Sequence, residues 1–298
     1  NGIVAVNVAS GNTLATSANI NATTVNLNSE STLALSTGTV SGTVQGATNG
    51  VGTVTLANDF TLSGNFGATS HALAAVTVAT NRTLTTGSNN INATTITLNS
   101  GSTLALSSGS VTGNVVGASS GVGSVPLANS FVTNGNLGAL GAALALVSVA
   151  DSTTLDLATN NNNLYATSVT LGSSSVINFG TGNVVSAIDG TSDGVGTVNF
   201  NGNSTVTLSS TLGSDTNAST THGLLAVNVI NGGTVSTSAN IKATTVTLGS
   251  SSTAGTLTMT TNSSSITGDV VLYSGSILNL TTASTVSGTI NGNTDNVG

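Results

Sequence analysis

Residues 20–35 read INATTVNLNSESTLAL and residues 91–106 read INATTITLNSGSTLAL, identical at thirteen of sixteen positions. A chain that repeats itself over tens of residues builds its fold by stacking units, because one copy alone cannot bury its apolar face. Repetition therefore constrains this chain more than length does, although 298 residues would suffice for two ordinary domains.

Three landmarks recur. The first is an alternating apolar strand: VAVNVA (4–9), AAVTVA (74–79), ALVSVA (145–150) and LAVNVI (225–230). The second is an Ala-Thr strand: ATTVNL (22–27), ATTITL (93–98), ATSVTL (166–171) and ATTVTL (243–248). The third is a glycine turn: GVG at 50–52, 121–123 and 194–196, and NVG at 296–298. The second-landmark residues Val25, Ile96, Val169 and Val246 are almost evenly spaced along the chain. Four units follow, at approximately 1–70, 71–141, 142–221 and 222–298.

From the second landmark to the turn valine the interval is the same in three units: Val25 to Val51, Ile96 to Val122, and Val169 to Val195. In the fourth, Val246 to Val297, it is nearly doubled. Within that excess GTLTMTTNSSSITGDV (255–270) is echoed by SILNLTTASTVSGTI (276–290). Repeat proteins gain whole layers, so one layer is about 20–25 residues and a unit about three layers, with four layers of about eighteen as the alternative. The fourth unit then carries an extra coil.

Within a layer, apolar residues alternate, as in Val4/Val6/Val8, Val25/Leu27 and Leu33/Leu35. Period two means strands. The runs are short and bounded by Asn, Gly and Ser, which suit tight corners. The pattern predicts an all-β protein: one parallel β-helix, or solenoid, over 1–298, with about 12–15 coils. Inward Val, Ile and Leu then stack into a dry core, and the two copies of the opening phrase are expected to pack on one another. Like charges stacked at about 4.8 Å would repel, which fits a charged content of only 4%.

Composition excludes several functions. With two basic residues, Arg82 and Lys242, and a net charge of −7, the chain lacks the Lys/Arg stripe that nucleic acid requires. It has no cysteine, which rules out disulfides, thiol catalysis and Cys-based zinc sites. The most apolar run, LGALGAALALVSVA (137–150), is shorter than the roughly twenty residues of a membrane helix. It reads as a buried strand, so no membrane insertion by this segment is expected.

Candidate chemistry is sparse. Asp189 and Asp193, in AIDGTSDGVG, are the best carboxylate pair and the candidate calcium site. The equivalent positions in other units hold Gln45/Asn49, Val116/Ser120 and Asn291/Asp295, which favours turn capping. Asp151 and Asp156 read as a solvated strand edge. His71 and His222 each precede a first-landmark strand without a nearby carboxylate–serine set. Pro126 in SVPL, where the first unit has Thr55, predicts a local break or bulge. The interval from Val195 to Val229 exceeds those from Val51 to Val78 and from Val122 to Val149. The surplus, around SSTLGSDTNASTTHG (209–223), predicts an outward loop. Thr-x-Thr pairs (Thr53/Thr55, Thr245/Thr247, Thr256/Thr258) raise glycan or ice binding, but they are irregular. No catalytic residue, cofactor or enzyme activity is expected; a polysaccharide-cleaving β-helix is the remaining alternative.

The segments NIKATTVTLGSSS (240–252), VSGTINGNTDNVG (286–298), AIDGTSDGVGTVNFNGN (187–203) and TLSGNFGATSHALAAVTVA (61–79) carry a resemblance. They resemble the passenger repeats of rickettsial outer membrane protein A and B type autotransporters, over nearly the whole chain. The resemblance implies a passenger displayed on the surface of a Gram-negative bacterium, as adhesin or surface-layer material. Its expected partners are identical chains, or a receptor or glycan on a host or neighbouring cell. The chain begins near the first landmark and stops at the third, so an excerpt of a longer protein is expected.

Overall fold

The computed structural model describes residues 2–202, 205–217 and 220–293. The fourth glycine turn (296–298) and Asp295 lie outside them. The described residues contain strands and turns and no helix. The strands run parallel from layer to layer in a β-solenoid of about thirteen turns. The chain divides into two compact units, residues 1–146 and 147–298.

In the first compact unit three ladders of inward side chains carry the core. One runs Val6, Val25, Val44, Phe66, Ile91, Val111. The second runs Leu14, Leu33, Val54, Val76, Ile96, Val115, Leu137. The third includes Phe60, Leu84 and Leu104. The turns are not of one length: the step from Val25 to Val44 is shorter than that from Phe66 to Ile91. Val25, Leu33, Val54, Val76 and Ile96 are wholly buried, and each such aliphatic side chain contributes about 2 kcal/mol by leaving water.

These ladders correct one expectation. Val25 and Ile96, the same position in the two near-identical phrases, sit on different ladders. Three turns lead from Val6 to Phe66, and Val76, the counterpart of Val6, stands one side further round. The repeat is therefore three turns plus one side, neither three turns nor four. The second compact unit obeys the same rule. Three turns lead from Val169 through Ile188 and Leu212 to Ile241. The counterpart of Val169 is Val246, on the neighbouring ladder of Leu155, Ile177, Val198, Val227, Val246, Val270 and Ile290. Equivalent strands resemble each other without pairing.

The short echo in the fourth repeat behaves differently and does stack on itself. Thr256, Leu257 and Thr258 pair with Ile277, Leu278 and Asn279, and Ile266 pairs with Val286. It is one whole extra turn.

Glycines mark where the backbone must come close. The second glycine of GVG has a left-handed backbone (Gly52, φ 78°), and a Cβ there would fall 2.2 Å from Leu27 Cβ. Gly123 and Gly196 meet Leu98 and Leu171 in the same way, each at 2.4 Å. This contact fixes the constant spacing between the second landmark and the glycine turn. At another corner the long strand Ile20–Leu27 bends from one side to the next, and its register shifts between Asn21 and Thr24. Gly42 packs over that bend, and the same bend recurs at Gly113 and Gly268.

Outward positions carry amide ladders. Asn26 donates from Nδ2 to Asn7 Oδ1 at 2.8 Å, and Gln45 donates to Asn26 Oδ1 at 3.0 Å. In the second compact unit Asn228 donates to Asn199 and Asn199 to Asn178, at 2.8 and 2.9 Å. Strand Ser124–Leu127 runs through Pro126 without a bulge: Thr103 faces Ser124 and Leu106 faces Leu127, at one constant offset. The proline leaves a gap in the bonding and no change of register. In the apolar run at 137–150, Leu144–Val149 is a strand, and no described helix is long and apolar enough to cross a membrane.

Candidate functional site

The acidic residues are the natural place to look for chemistry, and most are engaged in holding turns together. Asp59 Oδ1 accepts the Thr83 N–H at 2.9 Å, Asp151 Oδ1 the Ser173 N–H at 2.8 Å, and Asp269 Oδ1 the Thr289 N–H at 2.9 Å. Each bond ties a corner to the turn that follows. Asparagines do the same job elsewhere: Asn19 accepts from Thr39, Asn114 from Asn136, and Asn240 from Ser265. A carboxylate that stands where an amide serves equally well is a tether. Asp156 instead closes its own turn, accepting the N–H groups of Ala158 and Thr159. The Thr289 N–H and hydroxyl hold the Asp269 carboxyl below its ordinary pKa.

The proposed calcium pair is split by its bonding. Asp193 Oδ1 accepts the Gly223 N–H at 3.1 Å, as Asn49 Oδ1 accepts the Ala72 N–H at 3.1 Å in the first repeat. Asp193 thus tethers a loop. Asp189 is half-buried, and its Oδ1 is enclosed with no hydrogen-bond partner among the described residues. Calcium takes six to eight oxygens, and no three described His, Asp or Glu side chains gather into a metal-holding group.

The inserted segment starts next to Asp189, where the pairing of Ile188 with Leu212 sets Gly213 beside it. It is an antiparallel ribbon, Ser214–Asn217 against Thr220–His222, with Ser214 opposite His222. In the first compact unit the same place holds only tight turns, Ala68 against His71 and Ala139 bonded to Ala142. His71 and His222 are thus equivalent residues at a loop base. His222 Nδ1 lies 3.1 Å from the Gly190 carbonyl, so Nδ1 carries the proton and the ring closes the base of the ribbon.

The sequence reading missed what lies in register here. The ladder Ile188, Leu212, Ile241 places Asp189, Gly213, Lys242 and Thr267 in one outward column. The corresponding column of the first compact unit is Gln45, Gly67, Asn92, Thr112. Two amides there are replaced here by a carboxylate and the chain's single lysine. Ser214 Oγ beside this column is a second enclosed oxygen without a hydrogen-bond partner among the described residues. Only inter-turn register could have signalled this column, because a whole turn of chain separates each member from the next.

The threonine pairs do not form a continuous array. Thr53 stacks between Thr32 and Ala75, and Thr55 between Ala34 and Thr77. Along this side runs a shallow trough of about 240 Å³ whose lining includes Ala15, Ala34, Thr55 and Thr77. No protein family, curated protein or solved structure matches the chain.

Proposed function

We propose that this chain is a non-catalytic, surface-displayed β-solenoid segment that serves adhesion or self-assembly on the outside of a Gram-negative bacterium. The observation that carries the reading is the use made of its acids. Asp59, Asp151, Asp193 and Asp269 each accept a backbone N–H from a later turn, at corners where asparagines do the same elsewhere. Repetition without a repeated reactive group suits a scaffold. The resemblance to autotransporter passenger repeats supplies the surface location, and identical chains, a receptor or a glycan are the partners it points to.

Electron microscopy of material released from intact source cells tests the reading. Ordered lattices or fibres are the expected outcome for a building material, and isolated short rods for an adhesin stalk. Cleavage of any polysaccharide in a glycan panel, abolished by Asp189→Asn, would replace the scaffold reading with an enzymatic one.

A further inference from the structure

We propose that the first compact unit holds a binding cleft for a neutral carbohydrate, between the loop at residues 67–71 and the corner at residues 90–92. The proposal goes beyond the scaffold role and does not depend on assembly.

The cleft has a volume of about 210 Å³ and is lined by Asn65, Thr69, Asn90, Asn92, Ser110 and Thr112 around the buried Ile91. Gly67 forms its lip: φ is 79°, and a Cβ would fall 1.9 Å from the Asn92 carbonyl oxygen. Only glycine lets the loop lie that close to the corner. The size is below the roughly 300 Å³ at which pockets for drug-sized ligands begin, so it suits one ring or the end of a chain.

The polar groups are half used. Asn65 Oδ1 accepts the Asn90 N–H at 2.9 Å, and Asn90 Oδ1 accepts the N–H and the hydroxyl of Ser110 at 2.8 and 3.0 Å. Both amide NH₂ groups therefore remain available as donors. Asn92 is oriented the other way: its Nδ2 donates to the Ala68 carbonyl at 3.0 Å, which leaves Oδ1 as an acceptor. Thr69 adds an exposed hydroxyl that can do both.

Fixed donors and acceptors sit side by side, with no charged residue in the lining. An ionic ligand finds no counter-charge, and an apolar one leaves these groups unpaired at a cost. Adjacent hydroxyls, each both donor and acceptor, match the set. The corresponding corner of the second compact unit has Lys242 in place of Asn92. Its Cγ and Cε lie where a Cβ on Gly223 would meet them at 3.3 Å, so the lysine chain packs along the ribbon base and occupies that space.

The purified full chain is screened on an array of hexose- and N-acetylhexosamine-terminated glycans beside sialylated and uronic-acid glycans. Hits are then titrated by calorimetry. The expected result is saturable binding to a neutral glycan, reduced at least tenfold in Thr69→Trp, which plugs the mouth from an exposed loop position, and in Asn92→Leu. Far-UV circular dichroism and thermal midpoint should match wild type in Thr69→Trp. No binding to any neutral glycan, binding to acidic glycans alone, or undiminished binding by a folded Thr69→Trp variant would each overturn the assignment. An absence of lattices in micrographs bears on the scaffold reading and leaves this result unaffected.

Discussion

The two near-identical phrases differ at three residues, and the structure gives each difference a separate meaning. Val25 and Ile96 are both core residues with no exposure. Asn26 belongs to an amide ladder, whereas Thr97 stacks on Thr77. Glu30 sits in a left-handed turn with φ 58°, where the second phrase has Gly101 with φ 68°. A non-glycine residue there carries a cost of about 1–2 kcal/mol. Glu30→Gly should therefore stabilise the protein by about 1 kcal/mol, read as a higher denaturant midpoint. Asp269 offers a pH test at the same scale. Its carboxyl is depressed in the folded state by the Thr289 N–H and hydroxyl, so its contribution is present above the ordinary Asp value and lost as pH falls through the folded value. Asp269→Asn keeps the tether and does not titrate, so the acid unfolding midpoint should move to lower pH in the variant, as followed by circular dichroism. Alternation told which residues face inward. It could not tell which acids act as tethers, because each accepts from a residue a whole turn later in the chain.

At the scale of single strands and corners, two devices hold one turn to the next. The first is the glycine bend. A Cβ at Gly113 would stand 1.6 Å from the Ala93 carbonyl oxygen, so Gly113→Ala forces backbone apart and should cost more than about 3 kcal/mol, measured by thermal unfolding. The third copy has Ser186 at this place and meets the need without a left-handed backbone, so the bend has two solutions. The second device is the amide ladder. Asn199 both donates to Asn178 and accepts from Asn228, and Asn199→Val breaks both bonds for a loss of about 1–3 kcal/mol on denaturant titration. Strands were legible from period-two patterning and corners from Asn, Gly and Ser. Of the break or bulge expected at Pro126 only the break is seen, because a single missing donor interrupts bonding locally while the neighbouring pairs keep the register. The column of Asp189 and Lys242 stayed hidden for a related reason: a long hairpin separates residues that the ladder brings into line.

For the whole chain, the solenoid accepts changes of length in whole turns, or in whole repeats that end on the next ladder. Residues 257–277 are one turn, since Leu257 stacks beneath Leu278. Deleting them should leave a folded protein with a cooperative melt, whereas deleting residues 257–266 should abolish the ladder beyond, as read by circular dichroism. The number of turns was close to legible, because the extra segment of the fourth repeat revealed the size of a layer. The relation of repeat to turn was not, since sequence similarity says which strands are alike and nothing about which strands meet. That relation turns chain length into an angle. An exchange between phrases as alike as those at 20–35 and 91–106 adds or removes one whole repeat, and the new block ends one side beyond where it began. Every strand downstream then falls on the ladder beside its former one, as Val76 does relative to Val6. Recombination would act as a dial: it leaves the core unaltered and chooses which flank of the molecule greets its neighbours.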